Sequence, residues 1–256
     1  MKNYAFLVAS AVVCASAAFA DNVQGDNVFG VFPVESGTEY TIVAVPWCEC
    51  STNNNQAIAV SNIVKTANLE AGDKAFVVDG TGKYNAWQLV DRGGVLYWDS
   101  ISTVTLDGIG SIDANIATAA RGSAIIIYRK NPKEGSVAKK FYLFGQVGTE
   151  STVATTIVAG NTALVAPPYY AADGVDILDN EKVTFIPNDG DKILVRKAAS
   201  GASREYTHKS SKWYYKNPAN DFEETEATSI IIPCGLGAWY EAKGNVTITW
   251  NGVPTK

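Results

Sequence analysis

Four landmarks occur twice in this chain, in the same order. An apolar run into proline, Tyr40 to Trp47, returns as Thr162 to Tyr169. The turn Gly72-Asp73-Lys74 and the run Ala75 to Val78 return as Gly190-Asp191-Lys192 and Ile193 to Arg196. A tryptophan marks a later strand at Trp98 and again at Trp213, and the glycine-led run Gly122 to Ile127 returns as Gly235 to Tyr240. The spacings are 122 residues (Tyr40 to Thr162), 118 (Gly72 to Gly190), 115 (Trp98 to Trp213) and 113 (Gly122 to Gly235). They shrink steadily, as small loop deletions in a second copy would make them, whereas chance matches would scatter. A fifth landmark, Phe29-Gly30, recurs at Phe144-Gly145 and again around Trp250 to Val253. Each copy is therefore expected to close with a strand that resembles its opening one. The expectation is two tandem, internally duplicated modules over residues 28–147 and 148–253.

Within a module the period is that of strands. Thr41 to Val45, Lys74 to Val78, Val95 to Trp98, Ala124 to Tyr128 and Phe141 to Phe144 are short β-branched or aromatic runs bounded by Gly, Asn, Asp and Pro. Asp79-Gly80-Thr81-Gly82 reads as a hairpin loop between arms Lys74–Val78 and Tyr84–Val90, and Asp91-Arg92-Gly93-Gly94 as a second turn. Ser61 to Leu69 is the one stretch with helical spacing, and Leu106 to Ala120 reads as loop. Short strands at close spacing with Gly and Pro turns predict an all-β chain of sandwich- or barrel-like modules.

The first twenty residues read as an address. Lys2 precedes an apolar run from Tyr4 to Val13, and Ala18-Phe19-Ala20 places small residues where a signal peptidase cuts, ahead of Asp21. The run is too short for a membrane helix, and no later segment is long and apolar enough for one. Lys2 is the only charged residue in that segment. Of the 21 basic and 26 acidic residues, 20 and 26 therefore remain after cleavage, a formal charge of −6. A mild, dispersed negative charge offers no basic stripe for nucleic acid and no polybasic patch for a membrane.

Three cysteines follow the cleavage point: Cys48, Cys50 and Cys234. An odd number in an oxidising compartment allows one internal disulfide at most. Residues two apart on a strand are poorly placed to bridge, so a link from Cys48 or Cys50 to Cys234, tying the halves together, is the expected pairing. Three thiols without a fourth ligand make a poor zinc site, so no metal or other cofactor is expected.

No catalytic signature stands out. His208 is the only histidine, in the polar run Arg204 to Lys209, where it reads as a solvent-facing strand residue. No nucleophile elbow is present. Asp73 and Asp191, the acids common to both copies, read as turn residues bonding the backbone two positions on. Asn188-Asp189-Gly190-Asp191 resembles a calcium loop but lacks the further ligands, and a turn is the simpler reading.

Aromatics carry the remaining functional signal. Trp213-Tyr214-Tyr215 and Trp239-Tyr240 put bulky rings on both faces of a strand. Trp213, Tyr215 and Trp239 are thus the candidate ligand-binding residues, able to stack on sugar rings or anchor a neighbour unless the modules bury them. The sequence favours an exported, non-enzymatic structural or surface-assembly protein of the cell envelope or extracellular space. Its expected partners are further copies of itself or other envelope proteins. The alternative is a carbohydrate-binding protein meeting polysaccharide through those rings. A carboxylate-dependent glycoside hydrolase ranks third.

Overall fold

The computed structural model describes residues 29–36, 40–46, 58–59, 69–78, 84–101, 118–130, 139–196, 203–217, 220–253 and 255. The expected signal peptide, the helical segment apart from Leu69, the loop 79–82, and Cys48 and Cys50 lie outside these residues.

The described residues form strands and no helix. The first half contains β1 (Phe29–Ser36), β2 (Tyr40–Ala44), β3 (Ile58–Ala59), β4 (Lys74–Val78) and β5 (Tyr84–Asp91). It continues with β6 (Leu96–Ser100), β7 (Thr118–Ala119), β8 (Ala124–Tyr128) and β9 (Lys139–Gln146). The second half contains β10 (Val153–Ile157), β11 (Thr162–Val165), β12 (Val175–Asp176), β13 (Val183–Thr184), β14 (Lys192–Arg196) and β15 (Ser203–Lys209). There follow β16 (Lys212–Asn217), β17 (Asn220–Glu226), β18 (Ile231–Ile232), β19 (Ala238–Glu241) and β20 (Val246–Trp250).

The main sheet of the first half runs β2-β8-β4-β5-β6, and that of the second runs β11-β19-β14-β15-β16-β17. Read across the sheet, β11, β19, β14, β15 and β16 follow one another in the same relative chain order as β2, β8, β4, β5 and β6. The small sheets follow the same plan: β3 pairs β7 as β12 pairs β18, and the opening strand pairs the closing one in both β1-β9 and β10-β20. Gly30 lies opposite Gly145 in the first of these pairs. The second half adds β13 and β17. Both hairpin arms anticipated around residues 79–82 pair antiparallel, Lys74 with Gln88 through Val78 with Tyr84. No sheet closes on itself among the described residues, so the barrel alternative gives way to open sheets.

Alternation decides which side chains go inward. In β14, Ile193 and Val195 are buried while Lys192, Leu194 and Arg196 on the other face are less so. The inward face of the second sheet packs Val165, Ile193, Tyr206, Trp213 and Tyr240 against Val153, Val246 and Trp250 from the covering sheet. The first half gathers Val43, Ala75, Trp87, Leu89, Ile125 and Ile127 in the same way. Each Val, Leu or Ile among them contributes roughly 1.5–3 kcal/mol by leaving water.

The halves meet along a seam of reciprocal contacts. Val43 bridges Leu236, and Ser123 bridges Val165. The Ala44 N–H donates to the Gly235 carbonyl and the Ala166 N–H to the Gly122 carbonyl, both at 3.0 Å. Val43 and Val165 are 122 residues apart, Ser123 and Leu236 113, so each contact is the counterpart of the other under the sequence spacings. Residue i meeting j while j′ meets i′ is what a two-fold relation produces. A third apolar cluster fills the seam, with Ala44, Val78, Ala124 and Ile126 from one half and Leu164, Ala166 and Trp239 from the other. Arg121, buried, spans it: its Nε donates to the carbonyls of both Pro46 and Pro168, at 3.2 Å each.

Candidate functional site

The aspartates common to both halves do more than bond their own turn. Asp191 is completely buried. Its Oδ2 accepts from the Asn188 N–H (2.8 Å) and the Tyr240 hydroxyl (2.8 Å), and its Oδ1 from the Lys243 N–H (2.6 Å). Asp73 accepts from the Glu70 N–H (2.9 Å) and the Lys130 N–H (3.0 Å). Glu70 and Asn188 are 118 residues apart and Lys130 and Lys243 113, so the two carboxylates hold equivalent backbone groups. The expected bond two residues onward is replaced by one three residues back and one across the sheet. The preceding glycines, Gly72 and Gly190, take φ of 98° and 88°, which turns each aspartate inward at little steric cost. Tyr240 titrates well above the usual tyrosine range, through burial first and then through Asp191.

His208 is buried, not solvent-facing as its polar neighbours suggested. Its ring packs 5.2 Å from that of Trp213, and Nδ1 lies 3.1 Å from the Asn188 carbonyl and 3.3 Å from Asp189 Oδ1. A carbonyl only accepts, so in that contact the proton sits on Nδ1. Alternation along β15 explains the burial: Arg204, Tyr206 and His208 share the inward face. The 188–191 segment is the turn that this arrangement holds. Among the described residues no group of three or more His, Cys, Asp or Glu is placed to hold a metal.

The three aromatic candidates do not come together. Trp213 is only 4 % exposed, in edge contact with Tyr240 at 6.3 Å and tilted against Phe185 at 6.4 Å. It presents no face to a ligand, because its own half supplies a covering layer. Trp239 points to the opposite face of its sheet and packs against the seam cluster. Tyr215 is half-buried beside Tyr206, rings 5.7 Å apart, and carries the Arg204 guanidinium over its ring at 4.3 Å.

Arg204 opens onto a groove of about 470 Å³ at the edge of the second core. Its walls are Val195, Arg204 and Tyr206 from β14 and β15, the loop residues Ala172 and Asp173, and the segment carrying Ser229, Ile231 and Cys234. Cys234 is a free, half-buried thiol that also packs against the first core. Burial pushes it above the usual thiol range, against hydrogen bonds from the Ala171 N–H and the Tyr170 hydroxyl. The expected disulfide therefore has one partner here as a thiol, and Cys48 and Cys50 lie outside the described residues. Sequence reasoning passed over Arg204 and Asp173. The available signal was an arginine two residues before Tyr206 and so on the same face of its strand, with Tyr215 opposite Tyr206 on the next.

No family model, no curated protein and no solved structure matches this chain.

Proposed function

We propose that this is an exported structural or surface-assembly protein, built by tandem duplication of a β-sandwich-like module and associating with further copies of itself. The observation that carries the reading is the outer edge of the first sheet. Strand β6 has no further strand beside it among the described residues, and Val95 and Tyr97 stand 51 % and 47 % exposed there. An edge with unpaired backbone groups and apolar side chains is a template for another chain unless charge or a covering element blocks it. The far edge of the other sheet is more heavily charged: β17 carries Glu223, Glu224 and Glu226, the charge pattern that deters pairing, against the single Arg92–Asp99 pair beside Tyr97 on the first.

Light scattering coupled to size-exclusion chromatography, on the chain lacking residues 1–20, tests this. Concentration-dependent oligomers are expected, with a Val95→Lys/Tyr97→Lys variant remaining monomeric. A monomer at every concentration for both proteins would defeat the proposal. Carbohydrate binding, the second reading, is supported by the groove beside Arg204 and Tyr215.

A further inference from the structure

We propose that the groove in the second half binds a carboxylated sugar, with the carboxylate on Arg204 and ring hydroxyls toward Asp173 and Ser229. This rests on the carbohydrate-binding reading and names its ligand class.

Four observations carry it. The Arg204 guanidinium is held over the Tyr215 ring at 4.3 Å, so its plane is set before any ligand arrives. It makes no ion pair or side-chain hydrogen bond among the described residues, although lysines of the same sheet are paired: Lys192 with Glu205, Lys209 with Glu224, Lys212 with Glu226. A planar fork with its donors unused is matched by a carboxylate, which accepts two parallel N–H bonds. Asp173 lines the same groove, exposed, and is likewise in no ion pair among the described residues. A carboxylate there accepts hydrogen bonds and repels anions, so it favours hydroxyls at its end and leaves the ligand's charge to Arg204. Val195, Ile231 and Pro233 lie on the apolar part of the wall, where the C–H face of a sugar ring can lie. Tyr170, 55 % exposed, is tied to the wall through Cys234.

Cys234 supplies the readout, because it lines the groove. The intact protein is treated with iodoacetamide in increasing D-glucuronate, with D-glucose and acetate as separate arms. The labelling rate is followed by mass spectrometry, and binding is followed independently by NMR shifts. Glucuronate should slow labelling at least five-fold at saturation, with affinity at least ten-fold above that for glucose or acetate. Arg204→Gln should abolish the protection while thermal melting shows the fold intact. Arg204→Lys, which keeps the charge and loses the fork, should give an intermediate loss and serves if Arg204→Gln does not fold. Equal binding of glucose would overturn the role of Arg204, and equal binding of acetate would overturn the sugar. No binding of glucuronate would overturn the proposal. Binding of neutral sugars alone would leave the broader carbohydrate reading standing while sinking this one.

Discussion

Replacing Asp191 with alanine tests the account of the shared turn most directly. The side chain is completely buried and accepts from three donors: the Asn188 and Lys243 N–H groups and the Tyr240 hydroxyl. A hydrogen bond to a charged group contributes roughly 1.5–3 kcal/mol, and a buried donor left alone costs its own desolvation. Two of the three donors are only part-buried, so water entering the space can serve them. The low end of the range then applies, giving a loss of about 4 kcal/mol for Asp191→Ala. Asp73→Ala strands two part-buried donors and should cost about 3 kcal/mol. For a domain of this size each kcal/mol moves Tm by roughly 2–4 °C, so Asp191→Ala should melt about 12 °C lower and remain folded at room temperature. Urea titrations read by tryptophan fluorescence give the free energies. In a Tyr240→Phe background the loss should shrink by about 1 kcal/mol, the coupling expected of groups in contact. A loss below about 1 kcal/mol for Asp191→Ala, or a loss for Asp73→Ala exceeding that for Asp191→Ala, would refute this account of the shared turn.

Other consequences follow from single contacts. Arg121→Met should cost about 3 kcal/mol by urea titration, since one guanidinium serves two proline carbonyls across the seam; less than about 1 kcal/mol would mean those bonds hold nothing. Ser210 and Ser211 turn between β15 and β16 with φ of 49° and 67°, a conformation L side chains avoid. Ser211→Gly should therefore raise stability by about 1 kcal/mol, and a fall in Tm would disprove the strain. Cys234 and Tyr240 both titrate above their usual ranges in the folded chain. Raised values mean that their contribution to stability is complete below the ordinary pKa of each group and lost as pH rises through the folded one. Urea midpoints should thus hold from pH 7 to 8 and fall above about 9, while native Cys234 alkylates far more slowly than the unfolded chain. A peptide joining Cys234 to Cys48 or Cys50 in unreduced digests would contradict the free thiol.

Strand positions were legible in the sequence because period-two alternation and Gly/Asp turns are local signals. Lys74–Val78 and Ala124–Tyr128 lie where β-branched runs placed them. The aromatic candidates were not, and the reason is layering. A strand tells which side chains share a face, but not whether a second sheet covers that face. Trp213 has β10, β20 and β13 stacked over its side of the sheet. His208 was misread for a related reason: its neighbours are polar, yet alternation puts it in line with Tyr206. The groove needed distant segments, namely Ala172 and Asp173, then Val195, Arg204 and Tyr206 of β14 and β15, then Ser229 to Cys234, and no spacing in the sequence announces their meeting.

The positions where the two halves depart most from each other gain meaning along the seam. Arg121 and Cys234 are 113 residues apart, as are Ala124 and Gly237, so each pair is equivalent under the last spacing. Were both halves identical, two arginines would compete for the one pair of proline carbonyls, bringing like charges together in a buried place. Alanine at both 124 and 237 would also collide. A Cβ on Gly237 would stand 2.5 Å from that of Ala124 and 2.8 Å from Ile42 Cγ2, with the Val165 carbonyl at 3.0 Å, and overpacking of this kind typically costs about 1–3 kcal/mol. A tandem chain can fill each place near the axis once, with arginine on one side and cysteine on the other, alanine on one side and glycine on the other. On the proposed duplication, a difference between the halves at these positions is what close approach across the seam demands, and two identical chains meeting in the same way would not have it.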